Sequence, residues 1–366
     1  MEKDWKAVAA SLEASHEGSW LTSGRDDLIT AFPVLRLPPS KTVVSSLEPH
    51  AVITSYNWIK SEHPTICLPF TLPRDAGVSM IDANAAKWPS SPFEPALRAA
   101  AITSPRYSFN DVDLLVNRNT LRKFFDMCRG KSPSHSDFRL NLFMERNTLI
   151  IERTEKYNVT RAEDAFGYGK NFEDACTDAP KGLEESVSHH RMIECRFGGL
   201  KCAIRFEVDA CIPAEALGGH EGVATEIAPS PVISENQGIR IIHAGPGSRD
   251  DALVELKSRK VRPTTISQNM PQLWFGRLDH LVQGIHENGT FRSVERQTES
   301  TNQQTLQRMV TLLEELRAVV DNTKSLSAVA VWTKADGLRV YESTSDRKVL
   351  PDDLVERFWG TGKEAA

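Results

Sequence analysis

The sequence lacks the cysteine spacings that mark a zinc site or a disulfide framework. Its 366 residues include six cysteines, and none of them stands in a Cys-x-x-Cys pair or at Cys/His zinc spacing. Several lie inside apolar runs, which is typical of reduced core thiols in an intracellular protein. These absences argue against a secreted, disulfide-stapled domain and against a zinc-finger protein.

Long apolar runs are also missing, and so is a dense cluster of Lys and Arg. No run reaches the length of a membrane-spanning helix, and the opening Met-Glu-Lys-Asp-Trp-Lys lacks the apolar segment of a secretory signal. We therefore expect an intracellular protein of the nucleus, the cytoplasm or both, without membrane contact. The net charge of −5 argues against a protein that coats long nucleic acid, but not against a pocket that binds one strand end.

Several familiar catalytic signatures are absent as well. The chain has no Gly-x-Ser-x-Gly element of a serine hydrolase. The glycines Gly245 and Gly247 are not followed by a helix pattern or a P-loop lysine, so a phosphate cradle is not expected there. His189 and His190 have no acidic partners at ligand spacing, and a pair at the edge of a hairpin is favoured over a metal site.

Two apolar, strand-like runs carry acidic residues where a buried strand ordinarily has none. One run holds Glu207 and Asp209, and the other holds Glu255 and Lys257. Residues two apart on an extended chain project from the same face. Two such strands side by side would therefore gather three carboxylates and one ammonium within a few ångströms.

Clustered carboxylates repel one another unless a cation neutralises them. Asp209, Glu255 and the backbone carbonyl of Leu256 offer the oxygen ligands that Mg²⁺ prefers. Lys257 beside them is suited to orienting or deprotonating an attacking water. The pattern predicts a metal-dependent phosphodiester-cleaving centre. On these two strands alone, the alternative is a pair of half-buried strands whose charges form ordinary cross-strand pairs.

The remaining patterns predict one α/β (α+β) domain with mixed, mainly antiparallel central sheets flanked by helices. An amphipathic helix is expected from Leu121, capped by Asn119 or Thr120, and a second one over residues 301–322. A strand is expected through residues 200–212, and the aperiodic residues 213–236 predict a surface loop. Hairpins are expected at the turns 145–147, 198–199, 287–289 and 335–337.

Taken in order, these motifs resemble the DXO decapping exoribonuclease family, which has a PD-(D/E)XK nuclease-like core. The family pattern R-G-x-L-x-K is matched by Arg118-Asn-Thr-Leu-Arg-Lys123, with Asn119 in place of the glycine. Its E-V-D and E-L-K motifs are matched by the two acidic strands. A G-Y-K-F-E-like helix is matched by Gly169-Lys-Asn-Phe-Glu173, and the family's glutamine-bearing helix by the segment around Gln272.

The resemblance covers roughly residues 112–295, and residues 1–111 and 296–366 are expected to pack onto this core. It implies that one or two Mg²⁺ or Mn²⁺ ions are held by Glu173, Glu207, Asp209, Glu255 and the carbonyl of Leu256. It implies catalytic roles for Glu173, Asp209, Glu255, Lys257 and Gln272. It implies that the RNA phosphates are held by Arg118, Lys257 and Gln272.

Each of the three residues outside the acidic strands has a plainer alternative. Glu173 would otherwise be a solvated helix acid, Gln272 a surface glutamine, and Arg118 the partner in a salt bridge at a helix start. The tyrosine and lysine of the family's helical motif are Lys170 and Asn171 here. These departures bear on substrate preference more than on catalysis, since every expected metal-binding carboxylate is present.

The resemblance implies an enzyme that acts on the 5′ end of single-stranded RNA. Such an enzyme removes a 5′ triphosphate, or an incomplete or NAD-type cap, with or without 5′→3′ degradation of the strand. One alternative is a weakly catalytic protein that binds and stabilises a processive 5′–3′ exoribonuclease. Another is a related nuclease that acts on DNA.

Overall fold

The computed structural model describes most of the chain, in segments separated by gaps. The described residues are 20–59, 65–68, 78–80, 83–131, 137–155, 159–161, 172–173, 176–177, 186–212, 232–236, 238–243, 250–260, 270–287, 290–296 and 303–360. None of the helices in these segments is long and apolar enough to cross a lipid bilayer.

The described segments form eighteen strands, six α-helices and two short 3-10 turns. In chain order the strands are β1 (Arg25–Phe32), β2 (His50–Ile59), β3 (Thr65–Leu68), β4 (Val78–Met80), β5 (Leu114–Asn117), β6 (Phe138–Glu145), β7 (Thr148–Thr154), β8 (Val159–Arg161), β9 (Ser186–Phe197), β10 (Leu200–Val208), β11 (Ala210–Cys211), β12 (Val232–Asn236), β13 (Ile239–His243), β14 (Leu253–Lys260), β15 (His280–Glu287), β16 (Thr290–Arg296), β17 (Ser327–Thr333) and β18 (Gly337–Ser343). The helices are α1 (Ala83–Lys87), α2 (Glu94–Thr103), α3 (Arg118–Cys128), α4 (Met270–Gly276), α5 (Gln303–Asp321) and α6 (Asp352–Trp359), and the 3-10 turns are Val34–Arg36 and Asp250–Ala252.

Twelve strands form the main sheet, in the spatial order β1-β18-β17-β6-β7-β5-β10-β9-β2-β3-β13-β12. A second sheet has the order β11-β14-β15-β16, and β4 pairs with β8. Most neighbours are antiparallel. The parallel pairs are β5 with β7 and with β10, β13 with β3, and β14 with β15. The prediction of mixed, mainly antiparallel sheets is confirmed.

Helices cover both faces of the main sheet. Because strand residues alternate between faces, Leu114 and Val116 of β5 join one hydrophobic cluster and Leu115 joins another. The first cluster also contains apolar residues of α3, α4 and α5, and the second contains those of α2 and α6. This two-sided burial leaves β5 fully buried and β10 largely buried, and the ends of these strands carry the polar residues described below.

The two sheets are joined through Asp209. Strand β10 ends at Val208 in the main sheet, and β11 begins at Ala210 and pairs with β14 in the second sheet, with Ala210 opposite Val254. The prediction of one uninterrupted strand over residues 200–212 is therefore wrong. The interruption places Asp209 where the chain passes from one sheet to the other, next to the start of β14.

Other sequence expectations meet a mixed outcome. The predicted hairpins join β6 to β7, β9 to β10 and β17 to β18, and β15 pairs with β16 as the fourth one requires, although residues 288–289 of its turn lie outside the described residues. Helix α3 begins at Arg118, directly after β5, with Asn117 as its N-cap residue. The side-chain oxygen of Asn117 accepts a hydrogen bond from Nε of the buried Arg205 at 3.0 Å, so it is not used for capping.

Within the expected loop 213–236, residues Val232–Asn236 form β12, and residues 213–231 lie outside the described residues.

Candidate active site

Five predicted site residues meet where the two sheets adjoin. Arg118 is the first residue of α3, Asp209 joins β10 to β11, Glu255 and Lys257 belong to β14, and Gln272 lies in the first turn of α4. Gln272 is 8% exposed, so it is not the surface glutamine of the alternative interpretation. The ends of several elements thus deliver polar groups into one largely buried space.

The carboxylate of Glu255 is at the centre of this group and is completely buried. Nη1 of Arg118 donates a hydrogen bond to Oε2 at 2.9 Å, and Nε2 of Gln272 donates one to Oε1. Burial alone raises the pKa of this carboxyl, but Arg118 and Lys257 outweigh burial and lower the pKa of Glu255 to about 2. Glu255 is therefore ionised throughout the neutral range.

The ammonium of Lys257 lies among three oxygen atoms. Its Nζ is 2.6 Å from Oε1 of Glu255, 2.9 Å from the backbone oxygen of Leu256 and 3.2 Å from Oδ2 of Asp209. Burial by itself lowers the pKa of this amine, but the charges of Asp209 and Glu255 raise it above its usual value. The three oxygens are the same ones that the sequence assigned to a metal ion, so the ammonium takes the position of a cation.

Asp209 is tied to β14 by a further contact. Its Oδ2 accepts a hydrogen bond from the backbone N–H of Leu256 at 2.9 Å. Burial raises the pKa of Asp209, and the neighbouring charge of Glu255 raises it further, against the opposing effect of Lys257. The Lys257 ammonium lies within ion-pair distance of both carboxylates and so offsets their mutual repulsion.

Glu207 and Glu173 stand in a different relation to this centre. Residues Phe206 and Val208 pack into the core on the α3 side, so the exposed Glu207 side chain leaves the opposite face of β10. The backbone oxygen of Glu207 accepts a hydrogen bond from Nη2 of Arg118 at 3.1 Å. Glu173 is helical and half-buried, and its charge acts on Lys257. The roles of both carboxylates as metal ligands stay predictions.

The donor set of this centre fits a hard divalent cation in its chemistry. Asp209, Glu255 and the carbonyl of Leu256 present oxygens of the kind that Mg²⁺ and Mn²⁺ take as ligands. Within the described part of the chain, however, no three His, Cys, Asp or Glu side chains are grouped closely enough to form a metal site. A metal at this position would therefore replace the Lys257 ammonium between two carboxylates and one carbonyl.

The position of Arg118 depends on two neighbours that sequence reasoning missed. Its guanidinium lies 5.1 Å from the centroid of the Phe206 ring, a cation–π distance. A Cβ atom added to Gly276, the last residue of α4, would lie only 3.2 Å from Nη1 of Arg118. The alternation of the strand that precedes Asp209 could have singled out Phe206, while the approach of α4 to α3 has no signature in the sequence.

His189 and His190 lie inside the main sheet instead of at an edge, because β9 has β10 on one side and β2 on the other. Nδ1 of His189 is 2.9 Å from the side-chain oxygen of Asn57, and the ring of His190 stacks on Tyr56 at 5.4 Å. Burial lowers the pKa of His189 well below its usual value. The expected edge position is wrong, and both imidazoles belong to a buried polar network.

A family model described as "Domain of unknown function (DUF8563)" matches residues 33–359. No curated protein sequence matches the chain.

Several solved structures are similar in fold. S. pombe Rai1 in complex with 3′-FADP is 14% identical, with a TM-score of 0.55 over 85% of this chain and 98% of that one. Scheffersomyces stipitis Rai1 with (3′-NADP)⁺ and a calcium ion is 12% identical, with a TM-score of 0.56 over 91% and 98%. Candida albicans Rai1 with pU5-Mn²⁺ is 11% identical, with a TM-score of 0.54 over 90% and 98%. The resemblance to the DXO family is thus confirmed at the level of the fold.

Proposed function

We propose that this chain, which belongs to the DUF8563 family, is a divalent-metal-dependent hydrolase that acts on the 5′ ends of RNA. The observation that carries the proposal is the convergence of oxygens from Asp209, Glu255 and Leu256 on one cation position, beside Arg118 and Gln272. A fold shared with Rai1 proteins supports it, since one of those proteins is in complex with pU5-Mn²⁺ and another with (3′-NADP)⁺ and calcium.

The substrate that fits this proposal is a single-stranded RNA whose 5′ end carries a triphosphate, an incomplete cap or an NAD-type cap. Each of these is opened by attack of water on a phosphorus atom near the strand terminus, so one centre suffices for all of them. Continued 5′→3′ degradation would use the same residues. The proposed location is the nucleus, the cytoplasm or both.

Asp209, Glu255 and the Leu256 carbonyl would hold Mg²⁺ or Mn²⁺, with Glu173 and Glu207 as further ligands, directly or through water. When bound, the metal polarises the phosphoryl oxygens and makes a water molecule nucleophilic near neutral pH. Lys257 would leave its place between the carboxylates and orient the water or neutralise charge on the scissile phosphate. Gln272 and Arg118 would keep the Glu255 carboxylate fixed and ionised.

A second candidate function has one observation in its favour. The charges of Lys257 and Arg118 already balance those of Asp209 and Glu255, an arrangement that would suit a protein that binds RNA without catalysis. Such a chain would bind RNA 5′ ends, or stabilise a processive 5′–3′ exoribonuclease, without catalysis of its own. Metal-dependent turnover separates the two candidates.

The test measures the release of 5′ products from 5′-triphosphate RNA, with Mn²⁺ or Mg²⁺ and with a chelator. We expect wild-type protein to release product only with metal, and the double variant Glu255→Ala, Lys257→Ala to release none. Matched single-stranded DNA, run side by side, separates a ribonuclease from a DNA nuclease. Equal activity of wild type and double variant would show that the chemistry is not at this site.

Gly276→Ala tests the positioning of Arg118. The added Cβ would lie 3.2 Å from Nη1 of Arg118 and 3.2 Å from Cγ of Leu278, so the guanidinium must move by a few tenths of an ångström. We expect RNA hydrolysis to fall about tenfold, because small misplacements of positioning groups are costly to catalysis. Stability should change by less than about 1 kcal/mol, since alanine is the better helix former.

Gly199→Ala is the matched control, because its Cβ would meet only Oε1 of Glu314, at 3.9 Å. Hydrolysis rates and urea unfolding of both variants are measured together. Equal rates in the two variants would mean that the Arg118 position tolerates the shift.

A further inference from the structure

One guanidinium beside the site forms no ion pair with any residue that the structure describes. Arg122 lies on α3 four residues after Arg118, so both side chains leave the same face of the helix. It is half-buried, and it forms no hydrogen bond and no ion pair within the described segments of the chain. Its guanidinium N–H groups are therefore available as donors to a bound ligand.

The other cations around it are neutralised. Arg118 is bound to Glu255, and Lys123 and Arg153 both pair with Glu155. The charge of Arg122 interacts with those of Arg118, Glu255, Asp126 and Arg153, which places it within electrostatic reach of the site. Asp126 itself forms its ion pair with Arg129. Burial, and after it the charge of Arg118, lower the pKa of Arg122 from its usual value, yet an arginine side chain remains protonated near neutral pH.

Arg118 is poorly placed to hold the substrate by itself. Its Nη1 is bound to Oε2 of Glu255, its Nη2 is bound to the backbone oxygen of Glu207, and its plane lies over Phe206. A phosphate that approaches α3 therefore finds the free donors of Arg122, one helical turn or about 5.4 Å farther along the axis.

We propose that Arg122 binds a phosphate of the RNA substrate next to the scissile one, and that Arg118 serves mainly to hold Glu255. This inference rests on the proposed function. A phosphate supplies both the missing counter-charge and the paired acceptors that a guanidinium binds by two parallel hydrogen bonds. Arg122 stands at a variable position of the R-G-x-L-x-K pattern, so it would set how this chain prefers its substrate.

The test is equilibrium binding of a 3′-fluorescein RNA in chelator, followed by anisotropy over a series of salt concentrations. Each phosphate contact on a single strand contributes about −0.7 to the slope of log K against log salt. We expect Arg122→Gln to make the slope shallower by about 0.7 and to weaken binding about tenfold at low salt. Arg122→Lys should restore most of the slope, because it keeps the charge.

Arg339→Gln is the matched control, since it removes one positive charge from β18, where Arg339 pairs with Asp336. Its slope should equal that of the wild type. Binding is measured with two RNAs, one with a 5′ triphosphate and one with a 5′ hydroxyl, to identify the phosphate that Arg122 contacts. If Arg122→Gln weakens binding of the triphosphate RNA only, the contact is to a terminal phosphate. If it weakens binding of both RNAs, the contact is to an internucleotide phosphate. A wild-type slope in Arg122→Gln overturns this inference alone, whereas wild-type protein that binds no RNA overturns the proposed function with it.

Discussion

Replacing Glu255 with glutamine is expected to lower the free energy of unfolding by about 3–5 kcal/mol at neutral pH, the cost of breaking a buried ion pair from one side. The substitution removes the charge that Arg118 and Lys257 share, and it leaves the buried Arg118 guanidinium without its carboxylate partner, while Lys257 keeps Asp209. Metal-dependent RNA hydrolysis should be lost as well, because Glu255 is a proposed metal ligand. Urea denaturation and a hydrolysis assay measure the two effects.

The pH dependence of stability gives a second readout of the same carboxylate. The pKa of Glu255 in the folded protein, about 2, lies below its ordinary value of 4.5. A lowered pKa stabilises the folded state above the unfolded pKa, and this contribution is lost as the pH falls from about 4.5 to about 2. The raised pKa of Asp209 acts in the opposite direction. The quantity to follow is therefore the difference in the free energy of unfolding between the wild type and Glu255→Gln. That difference should shrink as the pH falls through this window.

Glu155→Gln is the control for the loss of a carboxylate near the same cations. Its side chain is 20% exposed, whereas that of Glu255 is 0% exposed, so water can solvate the groups left behind and its loss should cost less than the loss of Glu255. Its hydrolysis rate should stay near that of the wild type. If both glutamine variants lost equal stability, the Glu255 cluster would not hold α3, α4 and β14 together in the way that the contacts indicate.

The sequence predicts the acidic centre because carboxylates interrupt two runs that are otherwise apolar enough to be buried strands. Asp209, Glu255 and Lys257 stood out for that reason, and the structure brings them together. The i, i+2 argument that placed Glu207 with Asp209 assumed one continuous strand. That assumption fails because β11 belongs to the second sheet. The change of sheet depends on pairing with β14, more than 40 residues later in the chain, which local spacing does not show.

Local sequence patterns likewise could not predict which residues pair with each charged side chain. Arg118 pairs with Glu255 across 137 residues, and Gln272 becomes a donor to the same carboxylate only because α4 packs against α3. Spacing on a strand or a helix shows which residues share a face of that element. It does not show which other element packs against that face. The same limit explains why Lys257 was expected beside the metal position, while the structure places its ammonium in that position.

Lys257→Met is therefore expected to separate metal binding from catalysis. In the wild type a metal must displace an ammonium that lies 2.6–3.2 Å from three oxygens. The variant frees those oxygens, so Mn²⁺ should bind about tenfold more tightly, within the range seen when groups around metal ligands are changed. RNA hydrolysis should nevertheless fall at least about 100-fold, because the group that stabilises charge on the phosphate is gone.

Mn²⁺ affinity is measured calorimetrically on the variant and the wild type at the same pH. The increase in melting temperature at a fixed Mn²⁺ concentration gives an independent value, since tighter binding to the folded state raises it further. Lys123→Met is the control, because Lys123 of α3 pairs with Glu155 at 3.3 Å. This variant should have the same Mn²⁺ affinity as the wild type. Weaker Mn²⁺ binding in Lys257→Met would mean that the ammonium supports the metal site instead of competing for it. Mn²⁺ binding by neither protein would favour the non-catalytic RNA-binding function, with Lys257 as the permanent cation of the centre.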